Sequence, residues 1–313
     1  MRTLLTPYGQ AHLVETASDA LVARDWILDQ PHIALDTETT GLDIFAASHR
    51  VRLAQFGDEC TAYLFDAQQF KQTVTEIVEG LVHHNRTIIM HNAPYDLMVL
   101  AIGGFIDIDS VYPCVEDTRI LAHLVDPRGK QDGSIGHSLK GLSAFYVDKD
   151  APDDQTALKV LFKDNGWDWS TVPLTDPTYL MYSGVDVQLT TRLYHVLDKM
   201  TEGQQQLRTF ELAVQQVGVE MQMRGVKIDT AYAATLGPHF DALRDQGSET
   251  AAQWGIDKVN SPAQVAAVLT ALGVELLETT KSGAPKVDKQ VLADIIGNAD
   301  VNGPAAEVAE AVL

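Results

Sequence analysis

Over roughly its first 200 residues this chain alternates strand-length apolar runs with stretches of helical period, and beyond residue 205 the strand-length runs stop. That switch predicts an α/β fold, a mixed sheet with flanking helices, followed by a mostly helical region. A short strand and then an amphipathic helix are expected within 11–30, with Leu21, Val22, Trp26 and Ile27 on one helical face. Further strands are expected at 32–37, 51–56, 61–65 and 87–90, with another at 111–115. Helices are expected over 69–83, 94–101, 118–125, 138–146 and 178–200. Pro94 sits in a first turn, where its missing N–H costs nothing. Residues 148–177, rich in Asp, Pro and Trp, read as loop with one short helix.

The boundary is placed in the weakly apolar stretch near 200–208, giving domains of 1–204 and 205–313. In the second, 204–223 has a strong helical pattern and 225–229 reads as a turn into another helix. Asn260-Ser261-Pro262 is a good helix start, and 282–285 is a loop.

With 313 residues, 45% of them hydrophobic, the chain has room for two cored domains, which excludes global disorder. It has no apolar run long enough to span a membrane and no apolar N-terminal signal segment. Its two cysteines, Cys60 and Cys114, form no CxxC or zinc pattern; they fit a reducing, cytoplasmic setting and are expected as small buried hydrophobes. The formal charge of −20 argues against broad, non-specific binding to nucleic acid or to an anionic membrane. It leaves room for a local site, because carboxylates also cluster where divalent ions are held.

Three short motifs carry chemistry. In Ile33-Ala34-Leu35-Asp36-Thr37-Glu38 an apolar strand ends in two carboxylates, which period-two alternation puts on one face. Like charges placed so are unfavourable unless a cation lies between them. Taken alone, the pair also reads as a solvated strand edge. His91-Asn92-Ala93-Pro94-Tyr95-Asp96 follows a strand; Asn92 suits a helix N-cap, and Asp96 falls in the first turns of the helix. Taken alone, it reads equally as an ordinary acidic cap. In Tyr182-Ser183-Gly184-Val185-Asp186 the phenol and the carboxylate stand four apart on one helical face, beside a stripe that includes Leu180, Leu189 and Leu193. Taken alone, that Asp reads as a rim ion pair.

The combination is more specific than its parts. Asp36-x-Glu38, Asn92-x-x-x-Asp96 and Tyr182-x-x-x-Asp186 resemble the three exonuclease motifs of the DEDD superfamily, tyrosine variant. The flanking Thr39-Thr40-Gly41-Leu42, Val115-Glu116-Asp117-Thr118 and Ser138-Leu139-Lys140-Gly141-Leu142-Ser143 match as well, so the resemblance covers about 10–200. It implies a ribonuclease H-like fold and hydrolysis of nucleic acid from the 3′ end, with two divalent cations, Mg²⁺ or Mn²⁺. Asp36 would bridge both ions, Glu38 and Asp186 would help hold the one that activates water, and Asp96 would support the other. Tyr182 would orient the attacking water, Leu42 would wedge against terminal bases and Asn92 would contact the 3′ nucleotide. Other groups read more plainly: His83, His84, His91 and His123 as surface or core residues, Asp117 as a helix cap, Trp167 and Trp169 as loop anchors, and Arg50 and Arg52 as solvation at a strand edge.

Residues 211–229, Asn260-Ser261-Pro262 and Thr280-Lys281-Ser282-Gly283 resemble the thumb of family A DNA polymerases, the bacterial DNA polymerase I type. The palm's Asp-Tyr-Ser motif and the Lys-rich fingers helix are not found, so no polymerisation is expected from this chain alone. Palm and fingers would be a separate or truncated-away partner. Residues 201–313 hold 8 Lys and Arg against 15 Asp and Glu, so DNA contacts there are expected from local groups such as Lys281, Lys286 and Lys289. The leading expectation is a proofreading 3′→5′ exonuclease on single-stranded or frayed DNA ends. An RNA-trimming enzyme of the ribonuclease D type and a non-catalytic primer-end binding module are the alternatives.

Overall fold

The computed structural model describes residues 1–151, 154–297 and 299–313. These form two compact units, Met1–Gly225 and Val226–Leu313.

The first unit is built on one mixed sheet of seven strands: β1 (Arg2–Thr6), β2 (Gly9–Leu13), β3 (His32–Thr39), β4 (Val51–Gly57), β5 (Thr61–Asp66), β6 (Thr87–Met90) and β7 (Val115–Asp117). Their spatial order is β1-β2-β5-β4-β3-β6-β7. β3, β4 and β5 run antiparallel as a meander, whereas β6 adds in parallel beside β3 and β7 in parallel beside β6. The parallel additions require crossovers, which are α2 (Lys71–His83) and then α3 (Ala93–Ile102) with α4 (Ile108–Val111).

Alternation along β3 explains both layers. Ile33 and Leu35 point into a core shared with α1 (Ala17–Asp29), α2 and α3. Ala34 points into the opposite core, shared with Tyr179, Leu180 and Val187 of α8 (Pro177–Met200). α8 lies flat on that face because Gly184 has no side chain; a Cβ there would stand 2.7 Å from the Cβ of Ala11. Pro177 and the Asp176 cap, which accepts from Thr178 and Tyr179 N–H, fix where α8 begins.

Several elements differ from expectation. β1 pairs with β2 as an edge hairpin, and its exposed, weakly patterned residues gave no strand signal. At 111–115 the chain makes the end of α4 and a 3₁₀ turn over Tyr112–Cys114, and the strand starts only at Val115. Pro113 lies inside that turn, and a proline donates no ladder hydrogen bond. Cys114 is buried as expected, but Cys60 is exposed in the β4–β5 turn. The short helix expected within 148–177 is α7 (Asp154–Asn165), and the remaining helices on this side are α5 (Thr118–Val125) and α6 (Leu139–Tyr146).

The expected boundary at 204 falls before α9 (Gln205–Arg224), which packs with the first unit. Buried Arg208 pairs with Glu116 at 2.9 Å and Asp198 at 2.6 Å, and Gln215 donates to Asp117. The second unit is helical, comprising α10 (Thr230–Gln253), α11 (Pro262–Ala271), α12 (Lys289–Gly297) and α13 (Ala299–Val312) around Ile256, Val265, Leu269, Leu292 and Val308. Lys286, expected as a DNA contact, is occupied by Glu278 and Asp288. No helix among the described residues is long and apolar enough to cross a membrane.

Candidate functional site

Asp36 and Glu38 follow Ala34 on the face of β3 that α8 covers. Ser183 of α8 donates to Glu38 Oε1 at 3.3 Å, and Gln55, paired across β4 with Asp36, reaches the same oxygen at 3.4 Å. Thr37 points to the other face, where its hydroxyl donates to Asp96 Oδ1 at 2.6 Å. β3 is thus gripped from both sides at its carboxylate end, by α8 through Glu38 and by α3 through Thr37.

Asn92 occupies the N-cap position of α3 in the left-handed region, φ 68°, a conformation Asn tolerates. Its side chain makes no cap bond, contrary to expectation. Asp117 does that work from 25 residues away: Oδ1 accepts from Asn92 N–H and Oδ2 from Ala93 N–H, both at 2.9 Å. Asp117 also caps α5 through Arg119 N–H, the one role its sequence position predicts. Arg119 in turn donates to Asn92 Oδ1 at 2.6 Å.

The acids face one another at a cost. Loss of solvent, and then the charges of Asp96, Glu38 and Asp186, push the Asp36 carboxyl well above the usual carboxylate range. Glu38 is raised for the same reasons, burial and then Asp186, with Ser183 and Lys140 opposing. Burial pushes Asp96 up to about 7 against the stabilising bond from Thr37. Burial, with Asp186 and Glu38 nearby, also raises the Tyr182 phenol, so it stays neutral at ordinary pH. Asp96, Glu38 and Asp186 therefore lie within electrostatic reach of Asp36, and Asp186, Glu38 and Asp36 within reach of Tyr182.

Leu42, just beyond β3, is 87% exposed. Trp169 packs 6.0 Å from the Tyr182 ring and 5.1 Å from Phe162, an anchor as expected. Arg52 does more than solvate an edge: its guanidinium donates to the Trp169 and Val172 carbonyls and fastens the loop that backs Tyr182. Lys140 was not singled out from sequence. Its ammonium bonds Asp186 Oδ1 and lies 5.1 Å from the centre of the Tyr182 ring.

The donor set is all oxygen, which suits hard divalent cations, and buried acids that repel one another are relieved by one. Among the described residues no group of three or more His, Cys, Asp or Glu side chains is arranged to hold a metal ion.

A family model described as 3′-5′ exonuclease, of the DNA polymerase A type, matches residues 12–202. The DNA polymerase of Mycobacterium phage D29 is 34% identical over 311 residues, covering 96% of this chain and 50% of that protein. The DNA polymerase of Mycobacterium phage L5 is 30% identical over 293 residues, covering 91% of this chain and 49% of that protein. The chain therefore spans about half the length of these relatives. Among solved structures, the catalytic core of RRP6 from Trypanosoma brucei superposes with a TM-score of 0.52 at 16% identity, over 97% of this chain and 81% of that one, a likeness of fold.

Proposed function

The chain belongs to the 3′-5′ exonuclease family of the DNA polymerase A type, and we propose that it hydrolyses DNA from single-stranded or frayed 3′ ends, as the proofreading part of a polymerase. The observation that supports this reading most is that the charges of Glu38, Asp96 and Asp186, carried by β3, α3 and α8, all act on the Asp36 carboxyl. The polymerase relatives favour DNA as the substrate.

Asp36, Glu38, Asp96 and Asp186 are the residues that would hold two divalent cations, Mg²⁺ or Mn²⁺, whose charge eases deprotonation of the attacking water and stabilises the departing 3′-oxygen. Tyr182, neutral and with Trp169 and the Lys140 ammonium beside its ring, would orient that water through its hydroxyl. Leu42, which is exposed, would separate the terminal base from its neighbour. Asn92 meets the 3′ nucleotide through its amide nitrogen, because Arg119 occupies its oxygen. A paired terminus must first be melted, which favours frayed ends.

The test is a gel assay of 5′-labelled single-stranded DNA with Mg²⁺ or Mn²⁺, run beside matched RNA and beside Asp36→Ala. The expected result is a ladder that shortens from the 3′ end on DNA, absent in the variant and in chelator. Trimming of RNA alone would move the enzyme to the ribonuclease D type. Retained binding without any cleavage would leave a primer-end binding module.

A further inference from the structure

The carboxylate cluster contains one built-in cation. Lys140 projects from the first turn of α6, whose N-cap is Ser138. A lysine there opposes the helix dipole, which favours anions at this end. It also gives up most of its solvent, with 23% of its side chain exposed. Both costs are met by one partner, Asp186, whose side chain is 9% exposed. No other ion pair among the described residues reaches Asp36, Glu38, Asp96 or Asp186. α6 is fixed against α8 by Leu142, which packs with Leu193 and Leu197, so the ammonium is delivered to this place by the fold.

The geometry points to Lys140 as a substrate-contacting residue of the site: its ammonium holds Asp186 until a divalent cation takes that carboxylate, then donates to a non-bridging oxygen of the scissile phosphate. This rests on the exonuclease reading above. An ammonium and a divalent cation cannot both sit closely on one carboxylate without strong repulsion. Displaced from Asp186, Lys140 needs another anion, and the phosphate is the anion that enters. Its four-carbon stem and three rotatable donors allow the change of partner, which a planar guanidinium would make less easily. The Tyr182 ring, 5.1 Å away, gives the ammonium a resting face between the two positions.

Lys140→Met keeps the stem and removes the charge; Lys140→Arg keeps the charge. Two measurements separate the roles. The first is Mn²⁺ titration followed by electron paramagnetic resonance, without nucleic acid. Lys140→Met is expected to bind Mn²⁺ roughly tenfold tighter or more, because a competing cation next to the ligand is gone. The second is steady-state kinetics on single-stranded DNA at saturating Mn²⁺. There kcat of Lys140→Met is expected to fall about 100-fold, with KM changed less than about threefold, as for loss of one donor to a developing charge. Lys140→Arg should recover most of kcat. Thermal melting accompanies each variant. A merely structural lysine would give weaker Mn²⁺ binding together with a lower Tm, and that overturns the assignment. So does a variant that matches the wild type in both Mn²⁺ affinity and kcat. The titration needs no turnover, so it judges Lys140 even if the wild type cleaves nothing, a result that would count against the exonuclease reading alone.

Discussion

Asp117 is fully buried and accepts four N–H groups, from Asn92, Ala93, Arg119 and the Gln215 side chain. One carboxylate thereby starts two helices, α3 and α5, and ties α9 to them. Its sequence neighbours reveal only the α5 cap, because the other donors lie 24, 25 and 98 residues away. Lys140 was missed for a related reason, although it left a signal: a basic residue in a helix's first turn is a mismatch that calls for an acid nearby. The five motif residues stand out only as a set that resembles a known family, each motif read alone being ordinary; local spacing, i and i+2 on a strand and i and i+4 on a helix, is what makes the set visible. Asp117→Ala leaves buried donors unpaired, so a loss of roughly 3 kcal/mol or more is expected in urea unfolding. Because α3 begins at those donors and carries Asp96, cleavage should fall even where the protein remains folded. An unfolding midpoint equal to that of the wild type would mean that water replaces the carboxylate and the cap is dispensable.

At the level of elements, α8 decides whether the site exists. It carries Tyr182 and Asp186, and Ser183 for Glu38, on a surface pressed to the sheet at Gly184. A Gly inside a long helix costs about 1 kcal/mol against Ala, and here the close approach to Ala11 gives it a purpose. Gly184→Val is expected to lower stability by about 1–3 kcal/mol through overpacking. It should lower kcat further than that loss of folded protein explains, since the helix must lift where its functional residues lie. Calorimetry with activity corrected for the folded fraction checks this; proportionate losses would mean that α8 tolerates the shift. The strong strands and helices were readable because burial on one side imposes a clean period. Elements that lack such a face were not: β1 is a half-exposed edge, and the turn at Tyr112–Cys114 answers to proline and tertiary packing. The tie that holds α9 to the first unit, Arg208 buried between Glu116 and Asp198, has no periodic signal either.

Across the whole molecule, charge sets the pH response. The chain is formally −20, and its most strained acids sit together. Asp36, Glu38 and Asp96 all have folded pKa values above their ordinary ones. Between the ordinary value and the raised one, the folded chain binds more protons than the unfolded chain, so stability declines as pH rises. For Asp96 the window runs from 3.8 to about 7, worth at most roughly 4 kcal/mol at about 1.4 kcal/mol per pKa unit. In chelator, Tm should therefore be higher at pH 5 than at pH 8. Mn²⁺ at pH 8 should restore much of the difference, because a cation that binds only the folded carboxylates stabilises that state by mass action. Asp96→Asn removes one strained charge and should flatten the slope in chelator. General surface repulsion would give the same downward slope, but it would leave the Asp96→Asn slope unchanged and would respond to 0.3 M NaCl as strongly as to Mn²⁺, since exposed charges are screened within about a Debye length. The two origins therefore separate on one set of melting curves: a slope carried by the buried acids must move with Asp96 and with micromolar Mn²⁺, and a slope carried by the surface must move with salt.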